Sequence, residues 1–298
     1  MGSGSRESRP SIATAILTRG YSLNSFHDYR FVIRRNRSII RNLVVPSSRA
    51  KIDHFIFHEG NVGLFARIAI RVASLPLNLR FVNLGEFFAE FRQERNPENV
   101  EKCPETELSL KFSVEYRAMC AFWMNGFLEY LGGYDVVFRL DEDCLLESLN
   151  YATVLQPLIE AKVDYCAGMA FGFDAPGVTR GLEGFVTKWH EEHPRTRAPK
   201  LDRNPYTNVF LLRPKALESN PEALSFLKHV RSSGCVLNNR WGDHVIWGAL
   251  LSMYVDTIKS NLSADVSYFH GSHGTMVSQE NNPASKPDGD GAPQQMRF

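Results

Sequence analysis

Residues 134–144 read Tyr134-Asp135-Val136-Val137-Phe138-Arg139-Leu140-Asp141-Glu142-Asp143-Cys144. The apolar and β-branched residues of this segment are enough for one buried strand, and three acids follow it directly. Carboxylates that crowd the tip of a strand repel one another unless a cation lies among them. The segment therefore predicts a divalent metal ion that holds a phosphorylated ligand at the end of a central strand.

Asp141 and Asp143 are the residues of this segment that we expect to bind the metal. In extended backbone their side chains point to the same side, and Glu142 points away. Carboxylate oxygens are hard ligands that suit Mn²⁺ or Mg²⁺, and such an ion keeps open positions for a diphosphate. The alternative is a solvated acidic turn, because acidic triplets are common at protein surfaces. The position of the triplet directly after a buried strand favours the metal site over the solvated turn.

The composition indicates one globular α/β unit and excludes several classes of protein. The chain has 298 residues, of which 43% are hydrophobic, enough for one large core or two moderate ones. Its formal net charge of +1, from 34 basic and 33 acidic residues, gives no overall field that would favour nucleic acid or a membrane surface. No run of about 18 apolar residues is present, so no membrane segment is predicted. The GxGxxG and Walker motifs are also absent, which excludes ordinary dehydrogenases and ATPases.

The cysteines give no sign of a metal site of their own. They lie far apart and form no CxxC pair, so a structural zinc site is not expected. Most are expected to be buried thiols, and one or two disulfides are an alternative if the chain is secretory. They are Cys103, Cys120, Cys144, Cys166 and Cys235.

Strands and helices alternate along the chain, which predicts a parallel sheet with helices on both faces. The first strand, residues 11–18, closes on Thr18-Arg19-Gly20, where the glycine turns the backbone and the guanidinium can meet a nucleotide phosphate. Residues 22–41 form an amphipathic helix whose arginines are interpreted as a solvated face rather than an anion site. The clearest helix, residues 112–131, stops at Gly132-Gly133 immediately before the central strand. Further strands are predicted over 51–57, 79–84, 163–169, 206–212 and 264–270, and further helices over 62–73, 149–161, 177–191, 221–231 and 241–253.

We expect a single domain over residues 11–277. Residues 1–10 begin like an expression tag and are assigned to a tag or a disordered start. Residues 278–298 are rich in Asn, Pro, Asp, Gly and Gln, which cannot support a core, so they are expected to be disordered.

Two further segments carry candidate site residues. Arg240-Trp241-Gly242-Asp243-His244 opens a helix. Asp243 is either a helix cap or a base or hydrogen-bond acceptor for a sugar hydroxyl, with Trp241 as an apolar platform. Residues 268–274 place two histidines beside two glycines, and His270 can complete a metal site whose other ligands are carboxylates. The alternative for His270 is an exposed loop histidine.

Several motifs in the same order resemble the fungal α-1,2-mannosyltransferases of glycosyltransferase family 15. The resemblance runs from about residue 114 to residue 270. Its parts are the helix Tyr116-Arg117-Ala118-Met119-Cys120-Ala121-Phe122, the strand and acids of residues 134–143, the turn Asp174-Ala175-Pro176, the helix end Trp189-His190-Glu191-Glu192-His193-Pro194, the motif Arg240-Trp241-Gly242-Asp243, and the interval from there to His270.

The resemblance implies a GT-A fold, with a single Rossmann-like mixed sheet flanked by helices. Residues 11–145 would mainly bind the nucleotide, and residues 146–277 would mainly bind the acceptor. The implied activity is metal-dependent transfer of a sugar from a nucleotide sugar, GDP-mannose in the family, to a glycan hydroxyl. The chain would be soluble as given, either cytoplasmic or the luminal catalytic part of a Golgi-type enzyme without its anchor.

The resemblance also implies a role for each matching residue. Asp141 and His270 would bind Mn²⁺, or Mg²⁺, with Asp143 close by. Tyr116 and Arg117 would line the donor diphosphate and the reacting centre, and Thr18 and Arg19 would contact the nucleotide. Asp243 would face the acceptor or act as the catalytic base. Trp241 and Asp174 would contact the acceptor.

One departure from the family motif leaves the donor open. The triplet Asp141-Glu142-Asp143 stands where the family has Glu-Pro-Asp, which shortens one metal ligand and removes a rigid proline. Another donor such as UDP-xylose is therefore an alternative, and so is an inverting reaction with Asp243 as the base. Two other classes also stay open: a non-catalytic carbohydrate-binding protein, and a metal-dependent phosphohydrolase, which would usually need more metal ligands.

Overall fold

The chain folds around two sheets that meet at the Asp141–Asp143 turn. The structure is a computed structural model that describes residues 9–18, 20, 29–47, 50–94, 97–171, 174, 177–259, 265–271 and 275–276. The strands are β1 Ser11–Thr18, β2 Lys51–His58, β3 Asn78–Asn83, β4 Val136–Leu140, β5 Cys144–Leu149, β6 Tyr165–Phe171, β7 Arg203–Leu212, β8 Ile258–Lys259, β9 Val266–His270 and β10 Thr275–Met276.

Helices connect most of these strands. They are α1 Arg30–Ile39, α2 Leu64–Ala73, α3 Gly85–Gln93, α4 Pro97–Lys102, α5 Val114–Ala121, α6 Leu128–Leu131, α7 Gln156–Ile159, α8 Leu182–Glu192, α9 Lys215–Glu218, α10 Pro221–Ser232, α11 Cys235–Asn238 and α12 Asp243–Tyr254. Single π-helical turns, Ile40–Val44 and Phe122–Gly126, extend α1 and α5. Among the described residues, no helix is both long and apolar enough to cross a bilayer.

The larger sheet is mixed, as the family resemblance implied, whereas the alternation of strands and helices had predicted a parallel sheet. Its strand order is β3-β2-β1-β4-β7-β6-β8. The four strands β3, β2, β1 and β4 are parallel, whereas β7 runs antiparallel to both β4 and β6. The four parallel strands therefore end at one edge, and their last residues are Thr18, His58, Asn83 and Leu140. The smaller sheet, in the order β10-β9-β5, is antiparallel and begins immediately after this edge.

Each face of the larger sheet has its own hydrophobic core. Side chains alternate between the faces, so Val136, Phe138 and Leu140 pack on the side of α1 and α2, and Val137 packs on the side of α5 and α12. Arg139 lies between Phe138 and Leu140 and therefore points to the α5 and α12 side. A charged group is thus carried into the larger core.

Most predicted elements are present, with shifted ends. The helix predicted over residues 112–131 is interrupted by the π turn Phe122–Gly126, and the helix predicted from 241 begins at Asp243. Strand β5 was not predicted: residues 144–148 were assigned to no element, and the next predicted helix began at residue 149. Residues 1–8 and 277–298 lie outside the described part of the chain, so the predicted disorder of both ends stays a prediction.

Two of the five cysteines pair. Cys103 and Cys235 form a disulfide across a sequence separation of 132 residues. Cys120, Cys144 and Cys166 are buried free thiols, as expected for most of the cysteines.

Candidate active site

The acidic triplet forms a tight turn at the edge of the parallel strands. The Cys144 backbone N–H donates to the Asp141 carbonyl at 3.0 Å, so residues 141–143 are not the extended segment that we predicted. The turn exists because the chain must leave β4 and enter β5 of the second sheet within a few residues. Glu142 is directed to the end of β1, where its carboxylate accepts a hydrogen bond from the Thr18 hydroxyl at 2.8 Å. Gly20 follows Thr18 with a φ of 71°, which is the backbone turn predicted there.

Asp143 and His270 come together through the pairing of β5 with β9. Cys144 is the register partner of His270, and the Gly271 N–H donates to the Asp143 carbonyl at 2.9 Å. The imidazole Nε2 of His270 lies 3.4 Å from Asp143 Oδ1. Candidate ligand atoms of Asp143, Cys144 and His270 all lie within 4.8 Å of one another. The strand register thus joins residues that are distant in the sequence.

These side chains suit a hard divalent cation. A carboxylate and an imidazole supply one oxygen and one nitrogen ligand, which leaves positions for water and a diphosphate. Cys144 is buried, and burial raises the pKa of its thiol, so it stays protonated and is a poor ligand. His270 is also 3.4 Å from the Asn208 side-chain amide. The amide atom that faces Nδ1 is Nδ2, which donates to Nδ1, so Nε2 carries the proton that faces Asp143, and a bound metal ion would replace that proton.

Asp141 belongs to a different contact from the Asp143–His270 pair. Nε and Nη2 of Arg139 both lie 2.9 Å from Asp141 Oδ1. Nη1 of the same guanidinium lies 2.6 Å from Asp243 Oδ2, at the start of α12. One buried cation therefore ties the turn after β4 to the helix that carries Asp243.

The two carboxylates on Arg139 differ in electrostatic environment. Burial raises the pKa of Asp141, and Asp243 and Asp143 add to this effect, so the attraction of Arg139 is outweighed. Burial would also raise the pKa of Asp243, but Arg139, together with His244, lowers it below its ordinary value. Asp243 is thus held ionised in the interior.

Arg139 was not among the site residues predicted from the sequence. The signal was a single charged residue inside an otherwise apolar strand, since such a residue is rarely buried without partners. Its guanidinium also lies 4.4 Å from the centroid of the Trp123 ring. The Arg139 guanidinium loses its hydration on burial. This loss is compensated by stacking on the Trp123 ring and by the ion pairs with two carboxylates.

A second polar group lies beside Asp243 and joins Tyr116 to Asp174. Arg240 donates through Nη2 to the Tyr116 hydroxyl at 2.9 Å and forms an ion pair with Asp174. His244 Nε2 lies 3.4 Å from the same Asp174 carboxylate. Burial raises the pKa of Tyr116, so its hydroxyl stays protonated. Three residues that the resemblance selected, Tyr116, Asp174 and Asp243, are therefore neighbours in space.

Two of the expected site residues lie elsewhere. Arg117 is buried, donates to the Leu237 and Ser109 carbonyls at 2.6 and 2.5 Å and pairs with Glu105 at 2.9 Å, so it ties α5 to neighbouring elements instead of lining a diphosphate site. Successive residues of a helix point about 100° apart, so Tyr116 and Arg117 cannot face the same group. Trp241 is only 1% exposed and donates to the Arg180 carbonyl at 3.0 Å, so it is a core residue and not a platform for an acceptor. Arg19, expected at the nucleotide, lies outside the described residues.

Comparison with solved structures places this fold among glycosyltransferases. No family model and no curated protein sequence matches the chain. The mannosyltransferase Ktr4p from Saccharomyces cerevisiae superposes with a TM-score of 0.71 at 17% identity, over 88% of this chain and 70% of that one. Core-mannan synthase A from Aspergillus fumigatus, in a Mn/GDP form, gives a TM-score of 0.62 at 13% identity, over 91% and 76%. Mouse xyloside xylosyltransferase 1 gives 0.51 at 10% identity, over 85% and 86%.

These similarities confirm the predicted fold class. The two fungal enzymes are mannosyltransferases of family 15, the family that the sequence motifs resemble. At such low identity, what they share with this chain is the GT-A fold, with its mixed sheet flanked by helices.

Proposed function

We propose that this chain is a metal-dependent glycosyltransferase that moves a sugar from a nucleotide sugar to a glycan hydroxyl, with GDP-mannose as the first donor to test. The observation that carries the proposal is the Asp143–His270 pair at the end of β4, beside the Arg139–Asp243 ion pair. Both lie at the edge where the parallel strands end, which is where open α/β sheets bind ligands. The fold neighbours solved with GDP, one of them also with manganese, support the same choice of ligand.

Asp143 and His270 would hold Mn²⁺ or Mg²⁺. The ion would supply positive charge to the departing nucleoside diphosphate, whose developing negative charge is the main barrier to breaking a glycosyl phosphate bond. Thr18 and Glu142 lie at the adjacent end of β1 and would meet the nucleotide, together with Arg19.

Asp243 would face the acceptor. Its carboxylate is ionised and oriented by Arg139, so it can accept a hydrogen bond from a sugar hydroxyl. Tyr116 and Asp174 would line the same side, held in place by Arg240. The lowered pKa makes Asp243 a weak base, which favours a positioning role over proton abstraction.

A second candidate keeps the chemistry and changes the donor to another nucleotide sugar such as UDP-xylose. It is favoured by the acid in place of proline at position 142 and by the fold similarity to a xylosyltransferase. An inverting displacement with Asp243 as the base is a separate alternative for either donor, and the lowered pKa of Asp243 argues against it. A non-catalytic carbohydrate-binding protein is the remaining alternative, and only turnover separates it from the enzyme.

A binding and turnover assay distinguishes these candidates. Thermal unfolding is measured with GDP or UDP, with Mn²⁺, and with Mn²⁺ plus a chelator. We expect one nucleotide to raise the melting temperature only when the metal is free, since a ligand that binds the native state stabilises it. Incubation with a panel of nucleotide sugars and glycan acceptors then identifies the donor. If neither diphosphate stabilises the protein in the presence of Mn²⁺, the proposed function is wrong.

Substitutions at the proposed metal ligands give a sharper test. Asp143→Ala and His270→Ala should each remove the Mn²⁺-dependent stabilisation by nucleotide while the protein stays folded. Asp256→Asn, an exposed carboxylate paired with Arg197, is the matched control and should change nothing. Asp141→Ala tests whether Asp141 binds the metal or only pairs with Arg139. If this variant is less stable but keeps the Mn²⁺-dependent stabilisation by nucleotide, Asp141 is a structural partner of Arg139 and not a metal ligand.

A further inference from the structure

Helix α2 turns an apolar face to solvent. Its inner face packs on the sheet through Ala66 and Ile70. Its outer face carries apolar side chains spaced three or four residues apart, with Phe65 beside the first of them. The Phe65 side chain is 82% exposed. The outer apolar residues are Leu64, Phe65, Ile68 and Val72 of α2, and Leu75, which follows the end of the helix. Single exposed apolar residues are ordinary, but a contiguous stripe marks an interaction surface.

Helix α1 lies beside α2 and exposes a basic face. Both helices cover the same face of the larger sheet, and they contact each other. The buried side of α1 carries Val32 and Ile39. Its exposed side, continued into the following π turn, carries Arg30, Arg34, Arg37 and Arg41. We call these arginines and the apolar stripe of α2 the α1–α2 surface.

The segments that form the α1–α2 surface contain no acidic residue that would neutralise its arginines. Residues 29–52 and 60–85 contain no Asp or Glu, although the whole chain has nearly equal numbers of acids and bases. Within the described part of the chain, no carboxylate forms an ion pair with Arg34, Arg37 or Arg41. The α1–α2 surface therefore has a local positive charge although the net charge of the whole chain is close to zero. From the sequence, these arginines were predicted to form only a solvated face.

We infer that the α1–α2 surface binds the surface of a lipid bilayer that contains anionic lipids. A helix lying in the interface buries an apolar face at the boundary of headgroups and acyl chains, while neighbouring basic residues attract anionic headgroups. Both features are present here on adjacent helices that face the same side.

Charge complementarity selects this occupant over a second copy of the chain. A two-fold symmetric contact through the α1–α2 surface would bring two acid-free arginine faces together, and such like-charge contacts are unfavourable. An anionic membrane supplies the opposite charge and accepts the apolar stripe. The inference does not depend on the proposed sugar transfer, so either can fail without the other.

Vesicle co-sedimentation of the full chain tests the inference. Phosphatidylcholine vesicles are compared with phosphatidylcholine vesicles that contain phosphatidylserine, at low and high salt. We expect binding to the anionic vesicles that weakens with salt, because exposed charges are screened. The triple variant Arg34→Gln, Arg37→Gln, Arg41→Gln should bind on the order of 100-fold more weakly, at about fivefold for each arginine.

A second pair of variants tests the apolar stripe. Phe65→Ser and Ile68→Ser should each weaken vesicle binding by about tenfold. Leu110→Ser, which removes an exposed leucine away from the α1–α2 surface, is the matched control and should leave binding unchanged. All these positions are exposed, and circular dichroism checks that the variants stay folded.

Three results would overturn the inference. One is the absence of binding to the anionic vesicles. Another is binding that Phe65→Ser and the arginine substitutions leave unchanged. The third is a dimer in analytical ultracentrifugation that Phe65→Ser dissociates, because this would assign the surface to a second copy of the chain.

Discussion

Replacing Arg139 by methionine tests whether one buried guanidinium holds the two acidic elements of the site together. Its atoms lie 2.6 Å from Asp243 and 2.9 Å from Asp141, and its side chain is 2% exposed. At an effective dielectric constant of about 20, charges at the shorter distance attract by about 6 kcal/mol before desolvation is counted. Removing one partner of a buried pair costs about 3–5 kcal/mol, because the other charge is left uncompensated. We expect Arg139→Met to lower the unfolding free energy by this amount.

A double-mutant cycle with Asp243→Asn separates this effect from lost packing. In the wild type, Asp243→Asn leaves the Arg139–Asp141 contact in place and should cost about 1–3 kcal/mol. In the Arg139→Met background, the same substitution removes a buried charge that has lost its partner, so it should be neutral or stabilising. The two substitutions should therefore couple by about 2 kcal/mol.

Urea unfolding followed by tryptophan fluorescence measures both quantities, and Trp123 under the guanidinium provides a local probe. Lys188→Met is the control: Lys188 forms an exposed ion pair with Glu192 at 3.9 Å, and its loss should cost at most about 0.5 kcal/mol. If Arg139→Met costs no more than this control, or if it adds to Asp243→Asn within about 0.5 kcal/mol, the buried bridge does not stabilise the site.

Three other predictions follow from the buried groups. Burial, with Arg35 nearby, lowers the pKa of His54 well below its ordinary value of 6.5, so below that pH the unfolded chain binds a proton that the folded chain does not. The unfolding free energy should therefore fall between pH 7 and pH 5, and His54→Gln should make this fall smaller by about 1–2 kcal/mol, measured by urea unfolding at each pH; an unchanged slope would contradict the argument. Reduction of the Cys103–Cys235 disulfide, which closes a loop of 132 residues, should cost about 5 kcal/mol and lower the melting temperature in calorimetry, whereas equal melting with and without reductant would show that the bond contributes nothing. Trp241→Ala should cost about 3–5 kcal/mol in the same calorimetric assay, because Trp241 is a core residue; a small cost with loss of acceptor binding would restore it as a platform.

Local patterns were sufficient for most elements and for part of the candidate site. Apolar runs and helical spacing predicted β1, β2, α2 and α12 within a few residues, because these patterns depend on near neighbours. They failed at β5, because this strand pairs with β9, which lies far along the chain, and no nearby residue signals that pairing.

Side-chain direction within the site could not be read from the sequence. Tyr116 and Arg117 are adjacent in one motif, yet Tyr116 contacts Arg240 and Arg117 donates to a carbonyl of α11. Trp241 and Asp243 are also close in one motif, and the tryptophan is buried while the acid meets Arg139. A shared motif identifies which residues are near a site, and the packing of each helix decides which of them face it.

The sequence by itself determined the α/β alternation, the central strand, and the acids that follow it, because each depends on residues within a few positions of one another. Only the tertiary structure decided which distant groups meet. The register of β5 against β9 joins Asp143 to His270, and Arg139 joins the acidic turn to α12. Similarly, the packing of α1 and α2 on one face of the sheet leaves an acid-free basic and apolar surface outside. Contacts across the sheet and between helices depend on chain pairing, which a one-dimensional pattern does not contain.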